Sequence, residues 1–206
     1  MIRLLSGVGV VVTLLAGQTA PAFAQFVGSS GHPAGQDEAA GIVPRYLLMD
    51  PRGRAVTNED FRGRFQLVTF GFVSCPDVCP TTLLQFKNIL NSLGDQAGRL
   101  QPIFISVDPE RDSREILRAY TAAFDPRILG LTGSPELVWR AAESFRVKFE
   151  KVREPGAQQN NYTMNHTAGM FLLDPDGSFL ARFAYEMPAG EIAGRIGRAI
   201  AAGGLR

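Results

Sequence analysis

The segment between residues 66 and 94 constrains the fold of this chain more than any other. Gln66–Phe72 (QLVTFGF) is rich in β-branched and aromatic residues, which predicts a buried strand. Thr81–Leu93 carries its large apolar residues on one side, which predicts an amphipathic helix that ends at Gly94. A buried strand that leads directly into such a helix is typical of α/β proteins, in which helices cover a sheet.

Strand and helix patterns alternate along the rest of the chain. The other predicted strands are short and apolar: Tyr46–Met49, Pro102–Val107, Ile128–Leu131, Gly169–Leu173 and Phe179–Tyr185. The other predicted helices are one-sided or capped: Ser113–Ala123, Pro135–Phe145 and Pro188–Ala201. Lys148–Val152 is a further candidate strand, and residues 153–163 are polar and loop-like. This order predicts an α/β fold with a central mixed β-sheet flanked by helices, and it is compatible with a thioredoxin-like fold.

The first 24 residues have the pattern of a secretory signal peptide. Arg3 precedes an apolar stretch, and Ala22-Phe23-Ala24 is a small-residue cleavage signal. The alternative is a retained membrane anchor, but a spanning helix needs about 20 apolar residues and this stretch is shorter. We therefore expect export to the periplasm, a flexible leader over residues 25–42, and one domain over residues 43–206. The exported chain would be soluble after cleavage, or membrane-associated if the segment stayed in place.

Composition excludes several classes of function. There are 21 Lys and Arg residues against 20 Asp and Glu, which leaves a net charge of +1 and no electrostatic case for binding nucleic acid. Two cysteines in 206 residues do not make a disulfide scaffold. An exported protein nevertheless meets an oxidising compartment, so the chemistry of both thiols needs an explanation.

Cys75 and Cys79 lie between the predicted buried strand and its helix, in the segment CPDVCP. Pro80 suits the first position of a helix, which would put Cys79 near the N-cap and Cys75 in the preceding turn. Free N–H groups at a helix start favour negative charge. We therefore expect the pKa of both thiols to be lowered, that of Cys79 more than that of Cys75.

Three interpretations of this dithiol are open. The cysteines can be buried structural residues or an inert disulfide. They can be a redox pair, although the thioredoxin-type motif has two intervening residues and three stand here. They can also bind a soft metal ion through two thiolates on a short, stiff loop. The dithiol alone does not separate the redox pair from the metal site, and a thiol peroxidase is the least favoured function.

His166 is the candidate third ligand. It precedes the predicted hairpin, and in a thioredoxin-like sheet this segment passes beside the cysteine loop. The other histidine, His32, falls in the leader. Two thiolates and one imidazole suit Cu(I), would hold Cu(II) with a further oxygen ligand, and could hold Zn with an open position. Because a disulfide would remove two ligands at once, metal loading and thiol oxidation should be coupled.

These residues resemble the Sco/SenC family of copper-binding assembly factors of cytochrome c oxidase. Four segments carry the similarity, in the family's order: Phe70–Leu83 (FGFVSCPDVCPTTL), Val107–Asp112 (VDPERD), Gly130–Gly133 (GLTG) and Asn165–Gly177 (NHTAGMFLLDPDG). The combination of CPDVCP with the downstream HTA and DPDG is specific, although neither part is so alone. The similarity extends from about residue 43 to the final helix.

The resemblance implies a thioredoxin-like fold with copper held by Cys75, Cys79 and His166. It also implies a metallochaperone that delivers Cu(I) or Cu(II) to the copper A centre of cytochrome c oxidase subunit II, or to another periplasmic copper protein. The alternative that it implies is a thiol–disulfide reductase, in which Cys75 and Cys79 reduce the cysteines of that centre. Many members have Asp where Asn165 stands, and many are tethered by an N-terminal helix.

Residues around the site receive simpler interpretations. Asp77 is expected to be a solvated turn residue that accepts backbone hydrogen bonds. Within VDPERD, we expect Asp112 or Ser113 to cap a helix and the other charges to form local ion pairs. Tyr162 and Met164 are candidates for an apolar edge of the site. Core packing explains Met164 as well as a role as a fourth ligand does.

Overall fold

A computed structural model describes residues 42–153, 155–156, 158 and 161–203 of the chain. The predicted signal peptide lies outside these residues, as does the leader except for its last residue, Ile42. That side chain is buried and packs into the core, so the folded domain includes it. Within the described ranges, none of the helices has the length and apolar character that crossing a membrane requires.

Nine strands and four α-helices follow one another along the described residues. The strands are β1 (Leu47–Met49), β2 (Ala55–Thr57), β3 (Phe65–Gly71), β4 (Leu100–Ser106), β5 (Leu129–Leu131), β6 (Phe149–Val152), β7 (Thr163–His166), β8 (Met170–Leu173) and β9 (Phe179–Phe183). The helices are α1 (Val78–Leu93), α2 (Arg114–Phe124), α3 (Pro135–Ser144) and α4 (Ala189–Gly203). Short 3-10 helices span Asn58–Phe61 and Gly94–Arg99.

The main sheet has five strands in the order β5-β4-β3-β8-β9. β3 and β4 run parallel, as do β4 and β5, whereas β8 is antiparallel to β3 and β9 is antiparallel to β8. Every residue of β3, β4 and β8 is buried, as expected for strands that are covered on both faces. The predicted mixed central sheet with flanking helices is therefore confirmed.

Local capping signals in the sequence are used in the structure. The Ser113 side chain accepts a hydrogen bond from the Ile116 amide at the start of α2, and Ser134 does the same for Leu137 at the start of α3. Thr57 and Asp60 form a reciprocal capping box on the first 3-10 helix. Pro135 occupies the first turn of α3, where its missing N–H costs no hydrogen bond.

Two elements at the site differ from expectation. The helix after the cysteine loop begins at Val78 rather than near Thr81, so Cys79 lies inside its first turn. His166 does not lie in a loop before the hairpin but ends β7, which pairs with β6 in a separate two-stranded ribbon. The strand was missed because it is only four residues long and follows the polar residues 153–163 directly.

The carboxyl ends of the parallel strands set the position of the site. β3 ends at Gly71 and β4 ends at Ser106, which pair with each other in register. The cysteine loop continues from the first strand, and the VDPERD segment continues from the second. Because the two strands are parallel neighbours, both segments emerge at the same edge of the sheet.

Candidate metal centre

The two cysteines are held close together where β3 passes into α1. Cys75 is half-buried and Cys79 is 1% exposed, and both are free thiols. The Cys75 amide donates to the carbonyl of Phe72 (3.3 Å), which closes the turn. The Cys79 amide, one of the free N–H groups of the first helical turn, donates to the sulfur of Cys75 at 3.4 Å. The loop thus leaves the Cys75 thiol half-buried at the edge of the core and places the Cys79 thiol inside it.

Gly71 leaves the space that the Cys79 side chain occupies. A Cβ atom at this position would lie 2.7 Å from Cys79 Sγ and 2.8 Å from two ring carbons of Phe104. Any other residue would therefore overlap atoms that are fully buried. The last residue of β3 must be glycine for Cys79 to pack under the strand end.

His166 meets the cysteine loop from the other side. Its Nε2 lies 3.8 Å from Cys79 Sγ, and its ring packs edge-on against Phe72 with a centroid distance of 6.1 Å. The Nδ1 atom is 3.1 Å from the carbonyl oxygen of Thr167, which can only accept, so Nδ1 carries the proton. The lone pair of Nε2 then faces Cys79. The predicted approach of the His166 segment to the cysteine loop is confirmed.

The pKa values correct one prediction. Burial raises the pKa of the Cys79 thiol well above its usual range, and the neighbouring Cys75 thiol raises it further. The effect of the helix start, which we expected to dominate, is outweighed by the loss of solvent around the sulfur. Burial also lowers the pKa of His166, which keeps the imidazole neutral at physiological pH.

Several candidates fall outside this arrangement. His32 is not among the described residues. Asp77 is solvent-exposed, as expected, and occupies the N-cap position of α1, but its side chain does not accept a capping hydrogen bond. Met164 is buried in the core. Over residues 42–153 and the described positions after them, no three His, Cys, Asp or Glu side chains form a ready-made metal cluster. Of the predicted ligands, Cys79 and His166 approach each other to 3.8 Å, between Sγ and Nε2.

Asp112 supports the cysteine loop, a role that the sequence did not suggest. Ser113, not Asp112, caps α2. The Asp112 carboxylate is buried, and its Oδ2 accepts from the Val73 amide (3.0 Å) and from the Ser106 hydroxyl (2.7 Å). Burial raises the pKa of this carboxyl group above its ordinary value. The parallel pairing of β3 and β4 could have indicated this contact, because it brings the carboxyl ends of both strands to one edge of the sheet.

The predicted ion pair in the same segment reaches the strand that carries His166. Asp108 pairs with Arg111, and its Oδ1 accepts from the Tyr162 hydroxyl at 2.7 Å. Tyr162 lies immediately before β7, so the VDPERD segment contacts both the cysteine loop and the entrance to the histidine strand.

Comparison with known protein families gives one match over most of the chain. The family model described as SCO1/SenC matches residues 34–201. The human mitochondrial SCO2 homolog is 40% identical over 159 residues, which cover 76% of this chain and 59% of the human protein. An SCO2-like protein of Rickettsia prowazekii is 34% identical over 147 residues, 71% of each chain. The chain thus matches only about three fifths of the human relative's length.

Solved structures extend the match to the fold. ScoI of Bradyrhizobium japonicum, solved with copper bound, is 38% identical with a TM-score of 0.70 and covers 77% of this chain and 99% of that one. Yeast Sco1 with copper bound is 32% identical with a TM-score of 0.71, over 79% and 90%. BsSco, a Sco-family cytochrome c oxidase assembly protein with a disulfide switch, is 25% identical with a TM-score of 0.57, over 80% and 94%. The predicted thioredoxin-like fold is confirmed, and the chain belongs to the SCO1/SenC family.

Proposed function

We propose that this protein is an exported copper chaperone that binds one copper ion through Cys75, Cys79 and His166. The observation that carries the proposal is the 3.8 Å distance between Cys79 Sγ and His166 Nε2, with Cys75 Sγ against the Cys79 amide. Two sulfurs and one neutral imidazole are soft ligands that suit Cu(I). The copper-bound relatives from Bradyrhizobium japonicum and yeast support the same cargo.

Copper loading would be coupled to proton release. Burial keeps the Cys79 thiol protonated at neutral pH, so a metal ion must displace that proton to obtain a thiolate ligand. His166 needs no such step, because its Nε2 lone pair is already free. Cu(II) would require one more ligand, such as water or another oxygen.

Copper delivery would proceed by stepwise ligand exchange. Cys75 is the more exposed of the two thiols, so an incoming thiolate of the partner would replace it first. His166 would be released as the partner's ligands take over the ion. We propose the copper A centre of cytochrome c oxidase subunit II as the recipient, or another periplasmic copper protein. The assembly role of BsSco and the signal-peptide pattern of residues 1–24 support this choice.

The free dithiol favours one second candidate, reduction of a partner's disulfide. Cys75, the more accessible thiol, would attack one partner sulfur as a thiolate, and the other partner sulfur would leave as a thiolate and take up a proton. Cys79 would then lose its proton, attack the sulfur of Cys75 and release the partner's second thiol. Two electrons pass to the partner, and a Cys75–Cys79 disulfide remains. The disulfide switch of BsSco supports such chemistry in this family.

Titration of the reduced protein with Cu(I) against a competing chelator, without oxygen, tests the first candidate. We expect one ion per chain, and a loss of affinity of about 100-fold in His166→Ala because one of three ligands is removed. Asn165→Ala is the matched control, since Asn165 is exposed on the same strand. Failure of the reduced protein to compete for Cu(I), or equal affinity of His166→Ala and wild type, would reject the three-ligand site.

A disulfide-reduction assay separates the second candidate from the first. As a reductase, the protein would lose turnover on an oxidised copper A domain in both Cys75→Ser and Cys79→Ser, whereas His166→Ala would keep it. Equal loss in all three variants would point to metal chemistry instead.

A further inference from the structure

Tyr162 is held at three points by the segment that follows β4. Its hydroxyl donates to Asp108 Oδ1 at 2.7 Å. Its ring lies under the Arg111 guanidinium, 3.7 Å from the centroid, and its backbone carbonyl accepts from Arg111 Nη1 at 2.9 Å. Arg111 is in turn paired through Nε with Asp108, whose side chain is completely buried. Hydroxyl, ring and backbone of one residue are therefore fixed together, and we call Asp108, Arg111 and Tyr162 the tyrosine clamp.

The tyrosine clamp keeps its hydrogen bonds over the physiological pH range. Partial burial and the bond to Asp108 raise the pKa of Tyr162 to about 12, so the hydroxyl remains a donor. A charged acceptor makes this bond stronger than a neutral one. The guanidinium adds an attraction to the ring face, which is greater where water is partly excluded.

The position of Tyr162 along the chain connects the tyrosine clamp to His166. Tyr162 immediately precedes β7, the four-residue extended strand that ends at His166. An extended strand is stiff over this distance, so fixing its entrance limits where its last residue can lie. Met164 is the only buried residue within β7, and in β6 Phe149 is partly buried against the core while the other three residues are exposed. The ribbon thus makes few apolar contacts with the core, and the tyrosine clamp adds polar contacts that hold it in place.

The same turn also holds the cysteine side of the site. The amides of Arg111 and Asp112 both donate to the Asp108 carbonyl, at 3.1 and 2.9 Å, which makes the turn compact. Asp112 accepts from the Val73 amide, two residues before Cys75. The turn is therefore hydrogen-bonded to the cysteine loop through Asp112, and to Tyr162, at the start of the histidine strand, through Asp108.

We propose that Arg111 and Tyr162 are positioning residues that set the distance between His166 and the two thiols. This inference rests on the proposed copper site and adds to it the residues that determine how firmly the imidazole is presented. Arg111 and Tyr162 do not touch the metal. They act through the backbone of β7, so their removal should weaken only the share of copper affinity that His166 contributes.

The first test is a double-mutant cycle on Cu(I) affinity. Tyr162→Leu removes the hydroxyl and the ring, and we expect the affinity to fall about 10-fold, as for the loss of other groups that orient a ligand. Tyr162→Phe keeps the ring under Arg111 and should lose less. In a His166→Ala background the Tyr162→Leu change should have no further effect. An equal loss with and without His166, or no loss with it, would overturn the proposal.

Arg111→Met provides the second arm, with Arg127→Met as its matched control. Arg127 forms a comparable ion pair with Asp125 (2.6 Å) after α2. We expect weaker Cu(I) binding in the first variant and wild-type binding in the second. Equal effects of the two variants would mean that loss of any such ion pair is felt at the site, which contradicts a specific clamp.

A measurement on the copper-free protein separates this proposal from the proposed function. Amide hydrogen exchange of Met164, Asn165 and His166 should become at least about 10-fold faster in Tyr162→Leu, while β3 amides keep their rates. If wild type fails to bind Cu(I) but exchange changes in this way, the copper function falls and the clamp stands. If exchange in β7 is unchanged, the clamp falls whatever the copper titration gives.

Discussion

Cys79 and His166 lie 3.8 Å apart, yet they belong to regions of very different construction. The cysteine loop follows β3, the middle strand of the five-stranded sheet, whose seven residues are all buried and which is bonded on both edges. His166 ends one strand of a two-stranded ribbon whose other strand, β6, is mostly exposed. One side of the site is part of the core, and the other side lies against it.

This difference bears on how an ion would be held and released. The Cys79 sulfur lies next to Gly71 in the buried core, so it can move only if the core around it moves. The His166 ring can withdraw if the ribbon shifts, which breaks far fewer contacts. With Cys79 fixed in the core and His166 on a small ribbon, the imidazole would be released easily once the partner's ligands begin to take over the ion.

The largest effect that this comparison predicts is in local stability. Amides of Val68, Thr69 and Phe70 in β3 should exchange close to the rate set by global unfolding, whereas those of β7 should exchange through local opening. We expect a difference of roughly 100-fold or more, since the ribbon buries few apolar side chains. Hydrogen exchange of the reduced, copper-free protein measures it. Similar protection of the β3 and β7 amides would contradict the view that the ribbon is less stable than the sheet.

A smaller effect is expected from overfilling the core side. Gly71→Ala should lower the free energy of unfolding by about 1–3 kcal/mol, because the new methyl group overlaps Cys79 Sγ and the Phe104 ring. It should also weaken Cu(I) binding by displacing the Cys79 sulfur. Gly98→Ala is the control, since a Cβ there meets no atom within 4 Å. Denaturant unfolding of the two variants gives the comparison, and equal stabilities would show that the Cys79 pocket has spare room.

The sequence predicted the core side of the molecule better than the ribbon. β3 was recognisable because it is rich in β-branched and aromatic residues, and Ser113 and Ser134 mark helix starts by local chemistry. β7 shows only two alternations of buried and exposed residues, too few for a periodic signal. The start of α1 was placed too late because proline fits any position of the first turn, where no N–H is bonded within the helix. Pro80 therefore follows Val78 and Cys79 without breaking the helix.

At the site, the spacing of the cysteines and the topology were enough to predict that His166 lies beside the cysteine loop. The electrostatics were not accessible in the same way. The pKa of Cys79 depends on its burial in the core, which residues from many segments of the chain form together. Asp112 finds its partner at Val73, 39 residues earlier, which a local capping pattern does not report. Contacts between distant segments decided both outcomes.

The smallest effect that we predict concerns Asp112, which fastens the core side. Asp112→Ala leaves the Val73 amide without its acceptor and should cost of the order of 1 kcal/mol, because half-exposed Val73 can turn to water. Asp112→Asn keeps an oxygen in place and should cost less at pH 7. Burial raises the pKa of Asp112 in the folded state, so its ionisation weakens folding.

The sign of this effect can be tested with pH. Below the ordinary pKa of 3.8 the carboxyl group is protonated in both the folded and unfolded states, and its stabilising contribution is complete. That contribution is lost as the pH rises through the raised pKa of the folded state, whereas the side-chain amide of the Asp112→Asn variant does not titrate. The stability of Asp112→Asn relative to wild type should therefore improve from pH 3 to pH 7. A relative stability that worsens over this range would mean that the hydrogen bonds from Ser106 and Val73 outweigh burial. The Asp112 carboxylate would then hold the cysteine loop in its charged form.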